Sequence, residues 1–115
     1  MPNDRIRRVN EAVREVLSEA ITAGLKDPRV GFVTVTAVDT SPDLRHARVF
    51  VSVLGDEKQR DDSLAGLSSS HGYLQARVAS RLRLKHTPTL EFEYDPSAER
   101  VMRIAQLLRE QEPGS

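Results

Sequence analysis

Two runs of β-branched residues, 31–39 (GFVTVTAVD) and 45–54 (RHARVFVSVL), stand five residues apart, and no other feature limits the fold so much. Valine and threonine fit a pleated, half-buried strand. The connection Thr40-Ser41-Pro42-Asp43-Leu44 has the proline and Asx chemistry of a turn. Strands joined so briefly pair antiparallel. In the second run Ala47, Val49, Val51 and Val53 share one face, while His46, Arg48, Phe50, Ser52 and Leu54 share the other. The result is a hairpin with one solvated face and one that must be covered.

The cover comes from helical patterns on either side. Ile6, Val9, Val13, Val16, Leu17, Ala20 and Ile21 recur three and four apart, which predicts a helix over 4–24. Asn3 or Asp4 caps its start and Gly24 stops it, before Asp27-Pro28-Arg29 breaks any further helix. Residues 55–62 read as a charged loop. From Ser63 to Lys85, Leu64, Leu67, His71, Leu74, Val78 and Leu82 keep helical spacing. Ser68-Ser69-Ser70-His71-Gly72 interrupts that pattern, because serines compete for backbone hydrogen bonds and glycine costs about 1 kcal/mol in a helix. Two helices joined at a kink are expected. After Thr87-Pro88 the alternation of Leu90, Phe92 and Tyr94 with Glu91 and Glu93 predicts a third strand over 89–95. Ser97 is the expected cap of a last helix reaching about 111, with Val101, Ile104, Leu107 and Leu108 on its apolar side, and 112–115 read as a frayed end. The expected fold is α+β: a three-stranded sheet with helices packed on one face, in the order αββααβ plus a terminal helix.

Composition narrows the function. The 115 residues suit one domain, and 38% apolar with 30% charged residues describes a soluble globular chain. Without cysteine there is no disulfide, thiolate metal site or cysteine nucleophile. The first residues hold no apolar signal region, and no run approaches the roughly 20 apolar residues that span a bilayer, so no membrane partner is expected. Seventeen basic and 17 acidic residues cancel, which argues against a simple polybasic binder. Their distribution says more. Ser63 to Leu90 contains no acidic residue but holds Arg77, Arg81, Arg83 and Lys85, with acidic clusters on both sides. One basic surface on a balanced protein is the reading.

The order αββααβ with a bend between its central helices resembles a type II KH domain, in which a GXXG loop clamps nucleotide backbone. No GXXG is present. A more specific likeness lies in 26–36 (KDPRVGFVTVT), 41–47 with 49–55 (SPDLRHA, VFVSVLG), Gly72-Tyr73-Leu74 and 81–92 (RLRLKHTPTLEF). These segments, in this order over about 5–105, resemble the ribosome-binding factor A family. The resemblance implies a KH-like fold in which an Ala-x-Gly kink replaces GXXG. Here Ser70-His71-Gly72 occupies that place, with serine where alanine is usual. It further implies a KH-like ribosome-binding domain over 1–96, then a C-terminal helix and flexible tail over 97–115. The implied function is non-catalytic binding to the maturing small (30S) ribosomal subunit and its rRNA, assisting 16S rRNA maturation in the bacterial cytoplasm, with a role in cold adaptation. No cofactor is implied, and a monomer is the default.

The candidate RNA contacts carry alternative readings. Arg77, Arg81 and Lys85, four apart, form one stripe that either meets phosphates or is a solvated face whose alkyl stems cover the core rim. Arg83 either joins them or faces the helix C-terminal dipole. Arg5 and Arg8 widen the basic face or belong to a solvated first turn. Arg45 and Arg48 lie on opposite strand faces, so only one can join a continuous patch, and Arg45 is the candidate. Ser70, His71 and Gly72 are candidates through the kink, although His71 at an apolar phase reads first as a packed or capping residue. Asp27-Pro28-Arg29 reads as loop-shaping, with Arg29 tying the loop down. The three histidines have no motif partners, and neither GxSxG nor SxxK occurs, so a small hydrolase is disfavoured. A protein–protein adaptor on the same fold is the remaining alternative.

Overall fold

The computed structural model describes residues 4–111. Helix α1 (Asp4–Ala23) buries Val9, Val13, Val16, Leu17 and Ala20, the predicted stripe. It stops where expected, at Gly24 in the left-handed region (φ +103°). Asp4 lies inside the first turn, and Asn3 falls outside the described residues.

Strand β1 (Val33–Thr40) pairs antiparallel with β2 (His46–Val53), from Val33↔Val53 to Thr40↔Ala47. Strand β3 (Thr89–Tyr94) runs parallel to β2, from His46↔Thr89 to Val51↔Tyr94, so the sheet is mixed and β2 is central. Centrality explains why Ala47, Val49 and Val51 have no exposed surface. Val53, expected on the same face, lies nearer the sheet end and is half-buried. A register shift between Val35 and Ala37 was not foreseen. It turns both Val35 and Val38 into the core, although three residues apart they would face opposite ways in a regular strand. The extra residue is Thr36, whose hydroxyl meets the Phe50 carbonyl (3.2 Å) and Asp95 Oδ2 (2.6 Å).

Helices α2 (Glu57–Ser69) and α3 (His71–Leu82) pack with α1 on one sheet face, where Leu67, Leu74 and Val78 complete the core. Two expected boundaries are corrected. Helix α2 starts at Glu57 and replaces most of the charged loop expected over 55–62. The Asp56 carboxylate accepts the Gln59 N–H (2.8 Å) and the Gln59 side chain accepts the Asp56 N–H (2.7 Å), a reciprocal cap. Helix α3 ends at Leu82, not Lys85, because Arg83 turns into the left-handed region (φ 43°). Pro88, the last residue before β3, is fully buried.

Helix α4 (Ser97–Glu110) starts from Pro96, and Ser97 is not its cap. Asp95 Oδ1 accepts the Ser97 N–H (2.9 Å) instead, taking over one donor of the first turn. Val101, Ile104, Leu107 and Leu108 remain 51–65% exposed, so the apolar side of α4 is not part of the core. Residues 112–115, expected as a frayed end, fall outside the described residues.

Candidate nucleic-acid interface

The bend between α2 and α3 occupies a single residue. The Ser70 N–H donates to the carbonyls of Gly66 (3.0 Å) and Leu67 (3.1 Å), and the Ser70 carbonyl accepts the Leu74 N–H (3.0 Å). One helix ends and the next begins on Ser70, as the serine run predicts. A side chain at Gly72 would meet nothing within 4 Å, so packing does not demand glycine there.

The loop before β1 holds the bend in place. Ser63 Oγ accepts the Gly31 N–H (3.0 Å), Gly66 lets Val30 come close, and Ser69 Oγ accepts a hydrogen bond from Arg29 Nη2 (2.7 Å). Ser63, Gly66 and Ser69 are three apart, so they form one stripe along α2 on which residues 27–31 lie. Arg29 Nη2 and Nε also donate to Asp27 (2.7 and 3.0 Å), and its N–H does so at 2.9 Å. These bonds, the side-chain ones above all, hold the Asp27 carboxyl down at about 2. Sequence reasoning anticipated that Arg29 ties the loop. The stripe receiving it was missed, and its small residues, Ser63, Gly66 and Ser69, are the signal that could have revealed it.

The predicted site residues divide into groups. His71 Nε2 lies 3.1 Å from the Leu90 carbonyl, and because a carbonyl only accepts, that nitrogen carries the proton. Gln75 accepts the Leu90 N–H (3.1 Å) and donates to the Pro88 carbonyl, so α3 closes the outer edge of β3 at Leu90. Arg77 is half-buried, and its Nε is buried without a partner among the described residues. Arg81 Nη1 pairs with Glu19 Oε2 of α1 at 3.1 Å. Lys85 lies past the end of α3, so Arg77, Arg81 and Lys85 do not form one helix stripe. That expectation fails because the left-handed Arg83 redirects the chain.

Arg45, Arg83 and Lys85 are exposed, and no carboxylate pairs with their side chains among the described residues. The Arg45 carbonyl accepts the Thr89 N–H (2.8 Å), which places Arg45 where the connection carrying Arg83 and Lys85 enters the sheet. Arg5 and Arg8 stand apart on the exposed start of α1, where neighbouring Arg7 pairs with Asp4 (3.9 Å). About 21 Å of helix axis separates Arg5 from Glu19. Among the described residues no cluster of three or more His, Asp or Glu side chains could hold a metal ion. No helix among the described residues is long and apolar enough to cross a membrane.

Comparison with known proteins gives this surface its context. The sequence profile of ribosome-binding factor A matches residues 5–108. The chain belongs to the ribosome-binding factor A family. The ribosome-binding factor A of Brevibacillus brevis is 47% identical over 110 residues, covering 96% of this chain and 91% of the relative. That of Halothermothrix orenii is 44% identical over 109 residues, covering 95% and 89%. The crystal structure of ribosome-binding factor A from Thermus thermophilus superposes with a TM-score of 0.68 at 32% identity, covering 77% of this chain and 94% of that one. A Thermus thermophilus ribosome-binding factor A homology model fitted into an electron cryo-microscopy map of a 30S complex gives a TM-score of 0.62 at 34% identity, covering 75% and 90%. In this member of the family the break between α2 and α3 falls on Ser70.

Proposed function

We propose that this chain is a non-catalytic RNA-binding factor of the cytoplasm that associates with the small (30S) ribosomal subunit and assists maturation of its 16S rRNA. The observation that carries this reading is the likeness to the Thermus thermophilus relative fitted into a 30S complex. Arg45, Arg83 and Lys85 are the principal phosphate contacts, because their side chains are exposed and none forms an ion pair within 4 Å among the described residues, although Asp43 is a carboxylate neighbour of Arg45. The Ser70-His71-Gly72 bend supplies the shape that GXXG supplies in KH domains. Arg77 and Arg81 are secondary contacts, since one is half-buried and the other is held by Glu19. Arg5 and Arg8 extend the cationic surface along α1.

Co-sedimentation with purified small subunits at low and moderate salt tests this reading. Wild type is expected to bind, and Arg45→Ala/Arg83→Ala/Lys85→Ala to bind weakly while staying folded. Binding unchanged in that variant would move the contact surface elsewhere, and absence of wild-type binding would overturn the proposal. A protein–protein adaptor is the second reading, favoured by the exposed apolar side of α4. It predicts binding that survives both the triple variant and added salt.

A further inference from the structure

Phe32 is 79% exposed, more than any other large apolar side chain described. Its backbone is nonetheless fixed. The Phe32 carbonyl accepts the Leu54 N–H (3.0 Å), and the adjoining Gly31 N–H is held by Ser63 Oγ (3.0 Å). An aromatic ring held out in water from a fixed backbone loses apolar burial. An open cleft of about 770 Å³ separates this corner from α4, and Phe32, Leu54, Tyr94, Arg60, Arg103 and Arg109 are among its lining residues. The Arg60 guanidinium lies over the Tyr94 ring, 4.6 Å from its centroid. Asp56 and Glu57 also line the cleft, but Asp56 caps Gln59 and Glu57 lies 3.6 Å from Arg60. Arg103 and Arg109 have no ion-pair partner among the described residues.

An exposed ring beside unneutralised arginines in an open groove is the chemistry that holds single-stranded nucleic acid, with bases stacking on aromatic faces and phosphates meeting cations. Paired bases are already stacked and offer no free face to Phe32. The cleft opens at the end of β2 and β3, roughly 30 Å of strand away from Arg45. We propose that this cleft is a second RNA site which takes an unpaired segment, one base stacking on Phe32 and the adjoining phosphates lying on Arg103 and Arg109. The proposal rests on the reading of the chain as an RNA-binding factor.

The test is fluorescence anisotropy of the full chain with a short labelled oligouridylate and with a hairpin duplex of similar size, alongside small-subunit co-sedimentation. Phe32→Ala is expected to weaken oligouridylate binding roughly 5- to 140-fold, the range for one lost base–aromatic stack. Phe32→Tyr should retain affinity, Arg103→Ala/Arg109→Ala should lose it in a salt-dependent way, and the duplex should be insensitive to all three. Because Phe32 is exposed, its substitution removes no core packing. Oligouridylate affinity unchanged in Phe32→Ala would overturn the proposal. If wild type sediments with small subunits but does not bind the oligouridylate, the cleft proposal fails and the ribosomal reading stands. If wild type does not sediment, the ribosomal reading fails by itself. Loss of sedimentation in Phe32→Ala with oligouridylate affinity intact would put a protein in the cleft and exclude RNA.

Discussion

A methyl group added at Gly66 would sit 2.6 Å from Val30 Cγ2 and 3.2 Å from the Val30 backbone nitrogen. The side chain could yield, but the backbone is held, because the neighbouring Gly31 N–H is bonded to Ser63. Gly66→Ala should therefore destabilise the fold by roughly 1–3 kcal/mol, as overpacking does, despite alanine's better helix propensity. Chemical denaturation measures this, and an equal or higher midpoint would show that the loop is not wedged on α2. Asp27, beside it, adds a pH dependence. Its carboxyl titrates at about 2 in the folded chain against an ordinary 3.8, so the unfolded chain takes up the proton first. The contribution is complete above the ordinary value and fades as pH falls through that window. Acid unfolding of wild type should thus be steeper there than that of Asp27→Asn, followed by circular dichroism. The Asp27–Arg29 tie was legible in the sequence because the two residues are neighbours, whereas the seat of Val30 on Gly66 was not, since the two are thirty-six positions apart and only folding joins them.

Elements were legible to the extent that their signals were local. The α1 stripe and Gly24, the single-residue break at Ser70 and the alternation of β3 are patterns within a few residues, and each lies where the spacing puts it. The start of α2 was equally local but misread, because the charges of 56–62 suggested solvent when Asp56-Glu57-Lys58-Gln59 was a capping box. Asp56→Ala should lower stability by about 1 kcal/mol and fray the first turn of α2, seen as faster amide exchange at Lys58 and Gln59. Unchanged protection would mean the cap is redundant. The β1 bulge belongs to a different class. Its extra residue, Thr36, is held by Asp95 from beyond β3, 59 positions away, and the hairpin alone gives no sign of it. The Ser97 hydroxyl, then this Thr36 bond and the Ser97 N–H, lower the Asp95 carboxyl below the usual carboxylate range.

At the scale of the molecule, exposed cations lie at both ends of one sheet. Arg45, Arg83 and Lys85 stand where β2 and β3 begin, and Arg103 and Arg109 of α4 line the cleft where those strands end. Periodicity expected Arg77, Arg81 and Lys85 on one stripe of α3, but Lys85 lies past the end of that helix. Helical spacing put Arg77 and Arg81 on one face, and only the packing of α3 on α1 shows that this face borders α1, where the half-exposed Arg81 pairs with Glu19. Helix α4 leaves its apolar side exposed, so the core does not depend on it. A chain ending at Ser97 keeps Asp95 and its bonds to Thr36 and Ser97. It should unfold within about 0.5 kcal/mol of the full chain, a shift of no more than roughly 4 °C in Tm. A larger loss would make α4 part of the folding unit. Such a chain retains the cations at the far end of the sheet and loses Arg103 and Arg109. Two sites acting independently predict that it still sediments with small subunits through Arg45, Arg83 and Lys85, while its affinity for oligouridylate falls. Loss of both together would mean that the two ends grip one continuous RNA.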